Sequence, residues 1–211
     1  MRLNGNCWRR LRRDERGVAF VEFALGAPIF ILMITGGMEL TSLALTHMRL
    51  SRAAETLADN ASRVTIQVDE TDVEQIFTGV GLQTKSIGLD SKGRAVISSI
   101  EDNGKSGNAK GQKIRWQRCN GAKTTKNPRY GREGKGANDN SLKNGVGAAG
   151  RQITAPAGSA VILAEVIYDY EPILFKGIIP NQEIRYESAF NVRERDQLGI
   201  TNSKGRPVKS C

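Results

Sequence analysis

The stretch RRLRRDERGVAFVEFALGAPIFILMITGGMELTSLALTHM, residues 9–48, decides how the rest of the chain can fold. Its first part is a cluster of arginines ending at Gly17. From Val18 it is almost wholly apolar, interrupted by Glu22 and Glu39 and closed by His47. A continuous helix over 18–48 would be about 46 Å long, enough to cross a bilayer core of about 30 Å. The uncharged part, Phe23–Met38, falls slightly short alone, so the span takes in residues beyond one or both glutamates. The orientation follows from the arginines. Arg2, Arg9, Arg10, Arg12, Arg13 and Arg16 precede the apolar run, opposed only by Asp14 and Glu15. Such a flank stays in the cytoplasm, which sends everything after the span across the membrane. The expected organisation is a basic cytoplasmic leader (1–17), a transmembrane helix (18–48) and an extracytoplasmic α+β domain (49–211).

Glu22 is the most informative residue in the run. A carboxylate inside an apolar span costs about 2.5–3.5 kcal/mol at mid-helix on insertion scales, less near an end. It can snorkel to the cytoplasmic interface, or it can meet a positive partner. Gly17 lies five positions earlier. A cut after Gly17 would give Val18 a free ammonium and make Glu22 the fifth residue of the shortened chain. A neighbouring subunit's ammonium could then neutralise it within the membrane and set the register between subunits. Type IV pilins and pseudopilins begin in this way. RGVAFVEFALGAPIFILMITGGMEL, continuing into LTHMRLSRAAETLADNASR, resembles the TadE-like family of tight-adherence pilus assembly proteins, minor pseudopilins of the Flp pilus system.

The resemblance is closest over 16–64. Gly17, Glu22 and Phe23 match the family's G-x-x-x-x-E-F pattern, and Pro28 and Glu39 fit its layout. It implies processing between Gly17 and Val18, charge pairing and assembly at Glu22 and Phe23, and a single-pass protein of a bacterial inner membrane. The implied partners are other pilin or pseudopilin subunits, inner-membrane assembly proteins and a prepilin peptidase. The implied fold is pseudopilin-like, a long amino-terminal helix packed on a small antiparallel sheet. Two other readings stay open: a signal-anchored periplasmic binding module, and a secreted adhesin or enzyme cut near Ala44.

Pro28 removes a backbone donor and is expected to kink the helix. Gly36-Gly37 offers a second soft point or a close-packing surface. Past the membrane, Leu50, Ala54, Leu57, Ala61, Val64 and Val68 recur at spacings of four and three, so helicity should continue with one narrow apolar stripe. Arg52–Glu55 and Asp59–Arg63 are placed to pair. A short helix is expected over Thr71–Thr78. Four strands then follow by alternation: Arg94–Glu101, Gln112–Cys119, Ala160–Glu171 and Glu183–Arg193. Ile114 and Trp116 should face inward with Arg115 and Gln117 outward. The sheet should have one face covered by the long helix and one wet.

Asn120–Gly158 is crowded with glycine, asparagine and lysine and is expected to be a mobile loop. Its GREGKGANDN fragment lacks the spacing of a phosphate-binding loop. Cys7 lies in the leader, which leaves Cys119 and Cys211 on the oxidising side. An internal bridge is favoured there, with free thiols or pairing to another chain as alternatives.

The chain has 211 residues and a formal net charge of +9, much of it in the leader. The rest of the basic charge is spread through loops, which suits anionic lipid or cell-wall polymer better than nucleic acid. His47 is the only histidine, so triads and multi-histidine metal sites cannot be built. An enzyme is not expected, and no metal or cofactor is indicated.

Overall fold

A computed structural model of the chain describes residues 17–147, 150–174, 176, 180–193, 195 and 197–211. The first element, α1, is one uninterrupted helix, Val18–Arg63. Its 46 residues make a rod about 69 Å long. Pro28 lies inside it without ending it. A single proline forfeits one ladder hydrogen bond, and the apolar turns on either side hold the helical path.

The carboxy-terminal half of α1 is the spine of the folded domain. Leu50, Ala54, Leu57 and Ala61 are buried as the spacing predicts, and Ala53 and Ala58 widen the stripe. Alanines on this face let the helix lie close to the sheet. Asp59 and Arg63 pair at 2.8 Å. Arg52 and Glu55 do not, and Glu55 instead accepts a bond from the Ser51 hydroxyl.

After α1 come a two-residue strand β1 (Val68–Asp69), helix α2 (Glu70–Gln83) and a single turn α3 (Leu89–Lys92). The expected Thr71–Thr78 helix is therefore longer, and its start is well specified. Asp69 caps the first turn, and Asp72 accepts from the Asp69 amide at 2.9 Å, completing a reciprocal box. The Asp69 carboxyl is held well below the usual range by amide donors from Ser203 and Thr71.

The sheet follows: β2 (Gly93–Asp102), β3 (Gln112–Asn120), β4 (Ala160–Tyr170) and β5 (Gln182–Asn191). The order across it is β3-β2-β4-β5, antiparallel throughout. A two-residue β6 (Ile200–Thr201) returns to lie parallel to β1. The α+β architecture, a long apolar amino-terminal helix on a small antiparallel sheet, is the one the sequence implies.

Alternation along β4 and β5 resolves as expected. Ile162, Ala164, Val166, Tyr168 and Tyr170 join Ile184 under α1, with Tyr186, Phe190 and Val192 packed around them. Two expectations fail, and for identifiable reasons. The first concerns β3. Ser99 pairs with Trp116 while Ile100 pairs with Ile114, so Arg115 is an extra residue in the ladder. That bulge reverses side-chain facing: Trp116 enters the core beneath α1, whereas Ile114 points to the opposite face. Gln117, expected outside, is buried on that opposite face and donates to Ser98 Oγ and the Gly131 carbonyl.

The second concerns the wet face. Ile100, Ile114, Val161 and Leu163 are covered by Leu142, Val146 and Ala155 from the segment after β3. The glycine-rich stretch is thus a second cover layer. It runs along the edge of β3, with Ile114 and the 134–135 backbone exchanging two hydrogen bonds. Its glycines serve close approach: a Cβ at Gly136 (φ +80°) would sit 2.1 Å from the Gln112 carbonyl oxygen.

Cys119 and Cys211 are joined by a disulfide across a sequence separation of 92 residues. The Cys119 amide also donates to the Lys209 carbonyl, and Arg94 donates to the Cys211 carbonyl. The carboxy-terminal tail is thereby fastened to the sheet.

Candidate assembly site on the amino-terminal helix

The amino-terminal half of α1 stands free of the domain. From Val18 to Met38 its large apolar side chains are exposed, Phe20 and Phe23 by more than 70 %. An 18-residue stretch of the helix is strongly apolar, and none of that stretch is buried. At about 1.5 Å per residue this bare segment is about 30 Å long. The helix is thus long and apolar enough to cross a membrane.

The domain takes hold of the helix at Glu39. Its side chain is buried, and its carboxylate accepts the Tyr170 hydroxyl at 2.7 Å, the Leu174 amide at 2.8 Å and the Ile173 amide at 3.0 Å. Sequence and topology both cause this arrangement. Pro172 cannot extend β4, so the chain turns there, and the next two amides have no strand to pair with. A carboxylate reaching out of α1 satisfies both. Burial and the bond to Glu39 raise the Tyr170 phenol above its ordinary range, which keeps it a donor. About two turns past Glu39, His47 Nδ1 lies 3.1 Å from the Tyr186 hydroxyl of β5. Glu39 was legible in the sequence only as an interruption of the apolar run; its partners lie more than 130 positions away.

Gly17 immediately precedes α1, and Val18 is its first helical residue, exposed at the free end. Glu22 and Phe23 follow one turn later, also exposed. Glu22 has no ion-pair partner among the described residues. Pro28 is exposed, and a Cβ built at Gly36 or Gly37 meets nothing within 4 Å, so both glycines present open helix surface. These residues share one rod but are not gathered into a pocket. The arginine leader and Cys7 fall outside the described residues. Cys119 and Cys211 sit in the domain, away from the bare helix.

Sequence reasoning missed two polar clusters in the domain. Arg118 is buried against Glu70 of α2 and reaches Glu133 of the cover layer, so one guanidinium ties both layers to β3. On the cover side, Glu165 is buried and accepts from Arg185 and the Arg129 amide. Burial pushes its carboxyl above the normal range despite these donors. Beside it, Tyr130 donates to Glu187 at 2.6 Å, and burial together with that carboxylate pushes the phenol up to about 12. Glu165 and Glu187 are directly opposed in the β4–β5 register, which alternation alone could have indicated once pairing was known. Among the described residues no group of three or more His, Cys, Asp or Glu is arranged to hold a metal ion.

A sequence model of the TadE-like protein family matches residues 17–59. The match begins at the glycine before α1 and covers the bare segment, Glu39 and most of the docked half. It points to a protein associated with tight-adherence pili. No curated protein and no solved structure matches the chain.

Proposed function

We propose that the chain is a membrane-anchored, minor pseudopilin-like subunit that assists assembly of a Flp-type pilus through packing of its bare helix against sister helices. The observation that carries this reading is the division of α1 at Glu39. Its first half is a bilayer-length apolar rod whose large apolar side chains are exposed among the described residues, and its second half is built into a domain. A helix so divided transmits any lateral contact within the membrane to the domain outside. In this reading the arginine leader holds the amino terminus in the cytoplasm, the bare part of the expected 18–48 span, residues 18–38, crosses the bilayer, and the α+β domain that grips Glu39 lies in the periplasm.

Glu22 is the assembly residue. It sits exposed near the start of the rod, about 6 Å along the axis from Val18. Cleavage between Gly17 and Val18 would place an ammonium at the end of a neighbour's rod, able to neutralise Glu22 where an unpaired carboxylate is costly. Phe23 and the open face at Gly36-Gly37 supply apolar contact beside that pair. The structure speaks against release by a cut near Ala44. Such a cut would remove Glu39 and leave the Tyr170 hydroxyl and two loop amides without their acceptor.

Mass spectrometry of the mature amino terminus tests the first step, and a start at Val18 is the expected result. A start near Leu45 would overturn the anchored reading. Replacing Glu22 by Ala should abolish piliation while leaving membrane insertion intact. Normal piliation in that variant would refute the charge pairing.

A further inference from the structure

The Glu39 carboxylate holds two backbone amides of the turn after β4, Ile173 at 3.0 Å and Leu174 at 2.8 Å. The two side chains of that turn nevertheless point outward, Ile173 being 61 % exposed and Leu174 47 %. Ile173 shares a groove with Met33, Ile34 and Met38 of α1, so turn and rod present one continuous apolar surface. Charged groups flank the turn. Lys92 and Glu171 pair at 3.1 Å just before it, and Lys176 just after it is exposed, with no ion-pair partner among the described residues.

We infer that the turn at Ile173–Leu174 is a second membrane contact, resting in the interfacial layer of the bilayer with its two apolar side chains among the lipid ester groups and upper acyl chains. The inference rests on the membrane-anchored reading above. Position argues for lipid. The bare rod, 18–38, is about 30 Å long, one hydrocarbon core. Glu39 is the next residue, so the amides bound to it lie where hydrocarbon gives way to headgroups. The interfacial layer beyond is about 5–8 Å thick on each side, deep enough for two side chains and too shallow for the folded sheet. Hydrogen bonding argues the same way. A backbone N–H carried toward lipid is costly without an acceptor, and here both amides have one; a turn meant for water could leave them to solvent. The Lys176 stem can lie along the apolar surface while its ammonium stands among the phosphates. A second copy of this chain fits the turn less well. Two side chains fall far short of the area of a stable protein interface, about 1,200 Å² or more, whereas the embedded rod already holds the turn against lipid. A rod alone leaves the domain free to tilt over the membrane; a foot on one side of the rod sets that tilt.

The experiment uses the full chain in phosphatidylcholine nanodiscs. Cys7→Ser leaves the bridged pair as the native cysteines, and one added cysteine carries a nitrobenzoxadiazole label. Ile173→Cys is the test position, exposed Phe30→Cys marks the middle of the rod, and exposed Ile66→Cys marks the far end of α1. Lipids with a nitroxide high or deep in the acyl chain quench the label according to its depth. The label at 173 should lose fluorescence, more to the shallow nitroxide than to the deep one. The label at 30 should lose more to the deep one, and the label at 66 should lose nothing to either. An unquenched label at 173 beside a quenched label at 30 would overturn the proposal. If that unquenched label were also shielded from water-borne iodide, a second copy would be the occupant instead. Absence of quenching at 30 would refute the membrane anchor itself. Unlabelled wild type gives the same test without a probe on the turn. Irradiated with a phospholipid carrying a diazirine near its ester groups, it should form an adduct at Ile173–Leu174, and cross-linking confined to the rod would overturn the proposal.

Discussion

Replacing Glu39 by Ala tests whether the domain is locked to the helix by a single carboxylate. Among the described residues one hydroxyl and two amides donate to it, at 2.7–3.0 Å. Hydrogen bonds to a charged group contribute about 1.5–3 kcal/mol each. Their sum is an overestimate, because the 172–174 turn is at the surface and can open to water once its acceptor is gone. A net loss of about 3–5 kcal/mol is expected, the range found when one member of a buried charged pair is removed. Glu39→Gln keeps one oxygen acceptor and should lose only about 1–2 kcal/mol. Urea unfolding in a mild detergent, followed by Trp116 fluorescence in a Trp8→Phe background, measures both. Trp116 is fully buried beneath α1, so its emission reports the docked core. Hydrogen exchange supplies the local readout, and the Ile173 and Leu174 amides should lose protection in Glu39→Ala before the strands do. If that variant unfolds within about 0.5 kcal/mol of wild type with both amides still protected, the reasoning is wrong.

Three further outcomes follow from the domain. The Cys119–Cys211 bridge closes a loop of 92 residues, for which chain entropy gives about 4–5 kcal/mol. Cys119→Ser/Cys211→Ser should lower the guanidinium midpoint accordingly, and wild type measured with reductant should fall to the same value. Leu57→Ala leaves a hole where α1 meets the sheet and should cost about 2–5 kcal/mol by the same unfolding assay, whereas exposed Met38→Ala in detergent should cost almost nothing. Glu165 has a raised folded-state pKa because it is buried, so the folded protein holds a proton that the unfolded chain has already released. Wild-type stability therefore falls as pH climbs from the ordinary glutamate range through the raised value. Glu165→Gln lacks that fall, and its stability relative to wild type should improve toward neutral pH. Melting curves of both proteins across this range check it, and a constant difference would refute it.

The elements open to prediction were those whose causes are local. The α1-facing sides of β4 and β5 came out as patterned, whereas the other side of β4, with Val161 and Leu163 on it, is covered and not wet. The helix stripe from Leu50 to Ala61 needs only the 3.6-residue period to be seen. The bulge at Arg115 was invisible, because nothing in QKIRWQRCN marks one residue as surplus; only the register against β2 reveals it. The cover layer was invisible for a different reason. Glycine and asparagine look alike whether they confer mobility or permit backbone to pack on backbone, and here Gly136 does the second. The disulfide was legible because, with Cys7 set apart in the leader, counting left one pair in the rest of the chain. Glu39 could be noticed but not explained, since its donors lie after β4.

The position of that carboxylate follows from the two solvents α1 must satisfy. Before it, the helix needs apolar side chains on every face, and Val18–Met38 has them apart from Glu22 and Thr35, whose hydroxyl bonds back to the Ile31 carbonyl. Beyond it, the helix needs one apolar face for the sheet and a polar back for water, which Leu50–Ala61 and the exposed Arg52, Glu55 and Asn60 provide. An apolar residue at 39 could adhere to either environment and would leave the docked stripe alone to set where the domain begins on the rod. A buried carboxylate cannot slide, because a turn in either direction would carry it away from Tyr170 and the two turn amides that satisfy it. Glu39 therefore fixes the height of the domain on the helix, and with it the distance from the domain to Glu22. That distance is about 26 Å along the axis. In an assembly whose subunits align through Glu22, a fixed distance to Glu39 would bring every domain to the same height above its own membrane contact. Glu39→Gln should thus loosen domain register even where it spares the fold. Cysteines placed on neighbouring domains should then cross-link over a broader set of positions than in wild type, and an unchanged cross-linking pattern would show that the docked core alone sets the height.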